Sequence, residues 1–215
     1  MDKQAKLDQI AADIVNSNIC PDLAKTAKHL VPGEGNPDAN IVFIGEAPGK
    51  KEDETGRPFV GASGKFLEEL LAGIGLERKD VFITSILKYR PPNNRDPKPS
   101  EKAESWPYML AQLEVIAPKL VVALGRHSAL QFLPDFQIGR DHGKVQLWVG
   151  EAGPVGQSFP HRARSAVRAG GPPMPATRKR YHILPLYHPA AALYNGSLRQ
   201  TITNDFENIK VFIQQ

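Results

Sequence analysis

Two runs without a single polar residue, Ile41-Val42-Phe43-Ile44 and Leu120-Val121-Val122-Ala123-Leu124, constrain this chain more than any other feature. Each stops at a glycine, Gly45 or Gly125, and each is too short for a buried helix. A strand that is apolar at every position buries both of its faces, which calls for a parallel sheet covered by helices on both sides. Helical periodicity is present between and around the runs. Leu7, Ile10, Ala11, Ile14 and Val15 predict an amphipathic helix over residues 3–15, and Phe66, Leu67, Leu70, Leu71 and Ile74 a second one capped by Ser63. Ser100 is placed to cap a third helix running to about Ala117, a short one follows around His127–Phe132, and a last one begins near Ser197 and buries Leu198, Ile202, Phe206, Ile209 and Ile213. Val81–Leu87, Val145–Val149 and Tyr181–Leu186 read as further strands. The expected fold class is α/β: a single-domain three-layer α/β/α arrangement over residues 1–215 with a central, mostly parallel sheet. Ligands of such sheets bind at the carboxyl ends of the strands, which picks out Gly45–Gly49, the segment after Leu87, and Tyr187-His188-Pro189.

One stretch does not fit this pattern. Between Gly153 and Arg180 there are six cationic residues, no acidic one, five prolines and four glycines, whereas the whole chain carries only +4. The remainder is therefore net −2. The segment, at about 153–180, reads as a basic, flexible insertion. It is either an inert solvated loop or a cationic arm that touches phosphates and gains affinity by releasing counterions. No apolar run reaches the roughly 18 residues of a membrane span, and the N-terminus has no hydrophobic signal region, so membrane and secreted classes are excluded. The single cysteine, Cys20, has no partner for an internal disulfide, and a reducing cytoplasm is the expected location.

Three segments carry candidate chemistry. In Gly45-Glu46-Ala47-Pro48-Gly49 a buried strand gives way to a carboxylate flanked by glycines that permit close backbone approach. Read alone, Glu46 is more often an ordinary solvated side chain. Gly56-Arg57-Pro58-Phe59-Val60-Gly61 presents an aromatic ring on a loop, either a core residue or a face for stacking on a flat heterocycle. His188-Pro189-Ala190 follows a strand directly; the histidine is either structural or placed to stabilise negative charge on a leaving group.

Taken in this order, these segments resemble the uracil-DNA glycosylase superfamily, and most closely its family 4, whose members carry an iron–sulfur cluster. The resemblance runs from about Leu23 to Ile209 outside the basic insertion, and also includes Val31-Pro32-Gly33-Glu34-Gly35-Asn36, Arg90-Pro91-Pro92-Asn93-Asn94-Arg95 and Val122-Ala123-Leu124-Gly125. It implies a uracil-DNA glycosylase-like fold and base excision, in which a deaminated base is flipped out of DNA and its N-glycosidic bond hydrolysed. By position it implies catalytic roles for Glu46, orienting water at the sugar, and for His188, donating to O2 of the departing base. Phe59 would stack on that base, with Gly45, Ala47 and Ser85 around it, and Glu52 would crowd a thymine methyl. Ala191, Ala192, Leu193 and Tyr194 would enter the duplex, and Arg57 would contact DNA. No organic cofactor or catalytic metal is implied, and neither an obligate protein partner nor an oligomer is required; a monomer acting on DNA is expected.

Two departures matter. The positions aligned with the four cluster cysteines are Asn18, Pro21, Tyr89 and Ser105, with Cys20 one residue away, so the cluster is expected to be absent and its clip between segments replaced by packing around Tyr89 and Trp106. Ser85 stands where the family has an asparagine, whose amide can pair with both N3–H and O4 of uracil; a hydroxyl cannot, which opens the site to hypoxanthine or xanthine. Asn93–Ser100 has no histidine, unlike a covalent-trapping branch, and no motif lysine is placed for a Schiff base, so a monofunctional glycosylase is expected. The competing reading is a non-catalytic lesion- or single-strand-binding protein on the same fold.

Overall fold

The computed structural model describes residues 2–150 and 179–213. Its frame is one six-stranded sheet of β1 (Glu34–Gly35), β2 (Ile41–Gly45), β3 (Phe82–Ser85), β4 (Leu120–Leu124), β5 (Gln146–Gly150) and β6 (Lys179–Leu186), in the order β1-β3-β2-β4-β6-β5. The four inner strands β3, β2, β4 and β6 are mutually parallel, and the two edge strands run antiparallel to their neighbours. The mostly parallel sheet is as expected. The order reverses at β2, with β3 on one side and β4 on the other, which opens a crevice at their carboxyl ends.

The all-apolar strands are explained by two separate cores. Val42, Ile44, Val121 and Ala123 pack with Leu7, Ile10 and Ile14 of α1 (Lys3–Asn16) and with Trp106, Met109 and Leu113 of α5 (Pro99–Ile116). The alternate residues Phe43, Val122 and Leu184 pack with Phe66, Leu67, Leu70 and Leu71 of α4 (Ala62–Gly73) and with Ile202 and Phe206 of α9 (Ser197–Phe206). Successive strand side chains point to opposite faces, so each strand feeds both layers. Short helices complete the chain: α2 (Pro21–Ala24), α3 (Lys50–Thr55), α6 (Arg126–Phe132), α7 (Ile138–Asp141), α8 (Pro189–Tyr194) and α10 (Lys210–Ile213). Among the described residues no helix is long and apolar enough to cross a membrane.

Several boundaries differ from the sequence reading. Gly61, not Ser63, is the N-cap of α4, and Ser63 lies in its first turn. α5 starts at Pro99 rather than being capped by Ser100, because the Glu101 carboxylate reaches back to the Lys98 N–H at 2.8 Å. The last helix breaks after Phe206 into a 3-10 turn and α10. β6 begins two residues early: Lys179 and Arg180, read as part of the basic insertion, pair with Gly150 and Val149, and Lys179 lies 3.2 Å from Glu114. The rest of that insertion lies outside the described residues.

Candidate active site

A crevice of about 360 Å³ opens at the carboxyl edge of the inner strands, lined by Glu46 after β2, Ser85 at the end of β3, His188 after β6, Glu52 from α3, and Phe59 and Ala47 from the loops between. The sheet register places them. Gly45 pairs with Ser85, and the backbone carbonyls of Gly45 and Glu46 accept from Ile86 and Leu87 at 3.0 and 3.1 Å. A carboxylate, an aromatic ring and an imidazole that are distant in the chain thus share one cavity.

Phe59 is held in an unusual state. Its φ is +51°, in the left-handed region where a non-glycine residue is strained, and its side chain is buried. Three features keep it there. A Cβ on Gly64 would sit 1.9 Å from the Phe59 carbonyl oxygen, so only glycine fits beneath the loop, and a Cβ on Gly45 would come within 2.6 Å of the ring. Arg78, mostly buried, donates to the Phe59 carbonyl at 3.0 Å and the Pro58 carbonyl at 2.7 Å, and its other contacts are Glu34 and Glu68. The ring ends 5.6 Å from that of His188, inclined by 29°.

Glu52 is fixed rather than free. Its Oε1 accepts the N–H groups of Val60 and Gly61, both at 2.8 Å, and its Oε2 that of Gly49 at 3.1 Å. One carboxylate therefore ties the turn after Glu46 to the loop that carries Phe59, a clamp the sequence did not disclose.

His188 is the N-cap of α8, where its Nδ1 accepts the Ala190 N–H at 3.1 Å. Desolvation pulls its pKa down to about 4, with Glu52 acting weakly in the opposite sense. The imidazole is neutral at physiological pH, and because Nδ1 is an acceptor its proton resides on Nε2. Glu46 shifts the other way: burial raises its pKa, His127 and Lys102 oppose that rise, and Asp96 adds to it. His127, at the start of α6, was not singled out in the sequence; its Nε2 lies 4.0 Å from the Glu46 carboxylate and 3.4 Å from that of Asp96. These three offer ligand atoms within 4.8 Å of one another, but Asp96 is 83% exposed, and the group reads as an acid–imidazole contact rather than an ion cage.

The expected DNA-contacting residues divide. Leu193 and Tyr194 project from α8, with Tyr194 92% exposed, whereas Ala192 turns inward and packs in the core with α4 and α9. The segment, expected to enter a duplex, is helical, so one of its faces must be buried, and Ala192 lies on that face. Ala191 is half-buried. Arg57 is exposed and bonded to Glu34 through both Nε and an Nη, at 2.8 and 3.1 Å.

The profile of the Uracil DNA glycosylase superfamily matches residues 32–210. A Type-4 uracil-DNA glycosylase of Archaeoglobus fulgidus is 43% identical over 209 residues, spanning 94% of this chain and 91% of the relative. The chain belongs to the uracil DNA glycosylase superfamily. Type-4 uracil-DNA glycosylases of Sulfurisphaera tokodaii and Saccharolobus solfataricus are 40% and 41% identical, each across 95% of this chain and across 83% and 85% of the relative. As a superfamily member, the protein is a DNA glycosylase built on the fold described above.

The region that the resemblance assigns to an iron–sulfur cluster holds a different set of groups. Cys20 Sγ lies 3.5 Å from the Glu101 carbonyl and 3.7 Å from Ser105 Oγ, and the Cys20 N–H donates to Glu104 at 2.7 Å. Cys20 therefore faces the Ser105 position. Burial pushes its thiol up to about 12. One protonated thiol beside a hydroxyl does not fit a cluster that needs four thiolates. The contacts of Cys20 fasten the N-terminal segment to α5 directly.

Proposed function

We propose that this protein is a monofunctional uracil-DNA glycosylase that also accepts deaminated purines, and that Glu46, Phe59 and His188 form its working centre. The observation that carries this reading is the convergence of those three groups on one crevice. The substrate nucleoside is flipped from the helix into the crevice, its base lying against Phe59 between Ala47, Gly45 and Ser85. As the C1′–N bond breaks, its electron pair stays on the base. The neutral His188 donates Nε2–H to the base oxygen where that charge collects, and needs no proton transfer to do so. Glu46, ionised, faces the cationic sugar and directs water onto C1′; the water oxygen bonds to carbon while its proton passes to the carboxylate and on to solvent. The products are an abasic sugar and the free base.

Glu52 holds the floor of the crevice so that a 5-methyl group meets a carboxylate that cannot swing aside. Ser85 leaves space where an asparagine amide would select uracil, which is the basis for admitting hypoxanthine and xanthine. Leu193 and Tyr194, with Ala191 beside them, enter the duplex, and Arg57 lies along its backbone. The protein acts as one domain and a monomer, without an iron–sulfur cluster; iron analysis of the purified protein tests the last point.

The activity is tested with oligonucleotides bearing uracil, hypoxanthine or xanthine, incubated with the protein and then cleaved by alkali at abasic sites. Strand breaks that disappear with Glu46→Ala and His188→Ala support the reading. A mobility shift without breaks at any lesion would leave a binding protein instead.

A further inference from the structure

Glu46 must be ionised and aimed to serve as the group at the sugar, yet its surroundings disfavour the charge, because burial raises its pKa. The structure places one imidazole against it. His127 stands on the first turn of α6, and the neighbouring Ser128, fully buried, donates to the Ile44 carbonyl at 2.7 Å, two residues before Glu46. The amide of Gly125 is held in turn by the Leu186 carbonyl at 2.8 Å. The start of α6 is thereby bolted to the strand that carries Glu46 and to the strand that leads to His188. This geometry presents His127 Nε2 to the Glu46 carboxylate at 4.0 Å and to Asp96 at 3.4 Å. Its Nδ1 is buried and has no partner among the described residues. A proton on Nδ1 would lack an acceptor, so the ring proton belongs on Nε2, between the two carboxylates.

We propose that His127 is a positioning residue for Glu46, its Nε2–H holding that carboxylate ionised and turned to the crevice while Asp96 fixes the imidazole from the solvent side. This rests on the reading of Glu46 as the group that directs water. The separation of 4.0 Å is longer than a direct hydrogen bond, and a bridging water or a small closure on substrate completes it. The titratable and charged groups facing Glu46 are His127 from α6, Asp96 from the loop before α5, and Lys102 from α5. Of these, His127 and Lys102 favour the ionised form and Asp96 opposes it.

The test is the single-turnover rate of the full chain on a uracil oligonucleotide between pH 5 and 8.5, for the wild type, His127→Ala, His127→Gln and Glu46→Gln, with oligonucleotide affinity and melting temperature measured alongside. His127→Ala should lower the rate at pH 6 about tenfold or more and move the acid limb to higher pH, with affinity changed less than threefold. His127→Gln supplies an N–H in place of that of the imidazole. It should bring the rate to within about threefold of the wild type and return the acid limb towards the wild-type position, an outcome that loss of packing alone would not give. A His127→Ala enzyme with the wild-type limb and rate overturns the proposal while leaving Glu46 in place, provided Glu46→Gln is inactive. Full activity of Glu46→Gln would instead overturn the reading of Glu46 itself. If His127→Ala fails to fold, His127→Phe, which keeps a ring but has no N–H, takes its place in the series: a displaced limb supports the proposal, and an unmoved one refutes it.

Discussion

His188 has one ring nitrogen committed to the Ala190 N–H and an N–H with no partner among the described residues, so it can give the departing base a single hydrogen bond. Replacing it by alanine removes that donor and nothing that binds the ground state strongly. A preorganised donor to developing negative charge in a desolvated site is worth about 3 kcal/mol, so single-turnover cleavage of a uracil oligonucleotide should fall roughly 150-fold. Affinity for the uncleaved strand should stay within about threefold. The neutral state makes a sharper demand. With its pKa at about 4, His188 does not change charge between pH 6 and 8.5, and the wild-type rate should not fall across that range on account of this residue. A rate that declines as pH rises from 6 to 8, and loses that decline in His188→Gln, would refute the neutral-donor argument, as would a His188→Ala enzyme slowed less than about fivefold. The same shift has a signature in stability. The folded value lies below the usual 6.5, so between those values the unfolded chain binds a proton that the folded protein does not. Stability is complete above about 6.5 and is lost as pH falls towards 4, by about 3 kcal/mol in all. His188→Gln should melt with a flatter acid limb.

Ser85→Asn places an amide in the crevice wall that can pair with both N3–H and O4 of uracil. It should raise the preference for uracil over hypoxanthine by about 1–3 kcal/mol, roughly 5- to 150-fold in kcat/KM, measured on matched oligonucleotides. Arg78→Ala frees the Pro58 and Phe59 carbonyls that hold Phe59 at positive φ; the inhibition constant for free uracil should rise, and the effect should largely vanish in a Phe59→Ala background if the arginine acts through the ring. Lys88 is completely buried, with Nζ bonded among the described residues to neutral oxygens, those of Thr84 and Gln112 at 2.7 Å and of Pro32 at 3.4 Å, and burial lowers its pKa from 10.5 to about 7. The folded protein therefore sheds this proton first. Its stability should rise from pH 7 to 9 by about 2 kcal/mol in urea titrations, and the rise should be absent in Lys88→Met.

Much of the architecture was legible because it rests on local signals. The apolar runs at Ile41–Ile44 and Leu120–Leu124 are strands of the inner sheet, and the helix faces read from Leu7 to Ile14 and from Phe66 to Leu71 are the faces that pack. Caps were less legible. Ser63 and Ser100 are good capping residues by type, but Gly61 and a reach-back by Glu101 begin those helices, because the surrounding loops determine where the backbone turns. The burial of Ala192 was not legible for a related reason: a run of small residues shows no helical face until packing selects one.

The sequence alone pointed to the strand ends that line the crevice, since a glycine that stops an apolar strand, a carboxylate beside it and a histidine before a proline are all features of adjacent residues. Tertiary structure alone decided what state those groups are in. The tautomer of His188, the clamp made by Glu52, the strain at Phe59 and the imidazole of His127 beside Glu46 all depend on partners far away in the chain. Hydrogen bonding and desolvation act through space, and only the sheet order β3-β2-β4-β6 brings these residues within range of one another.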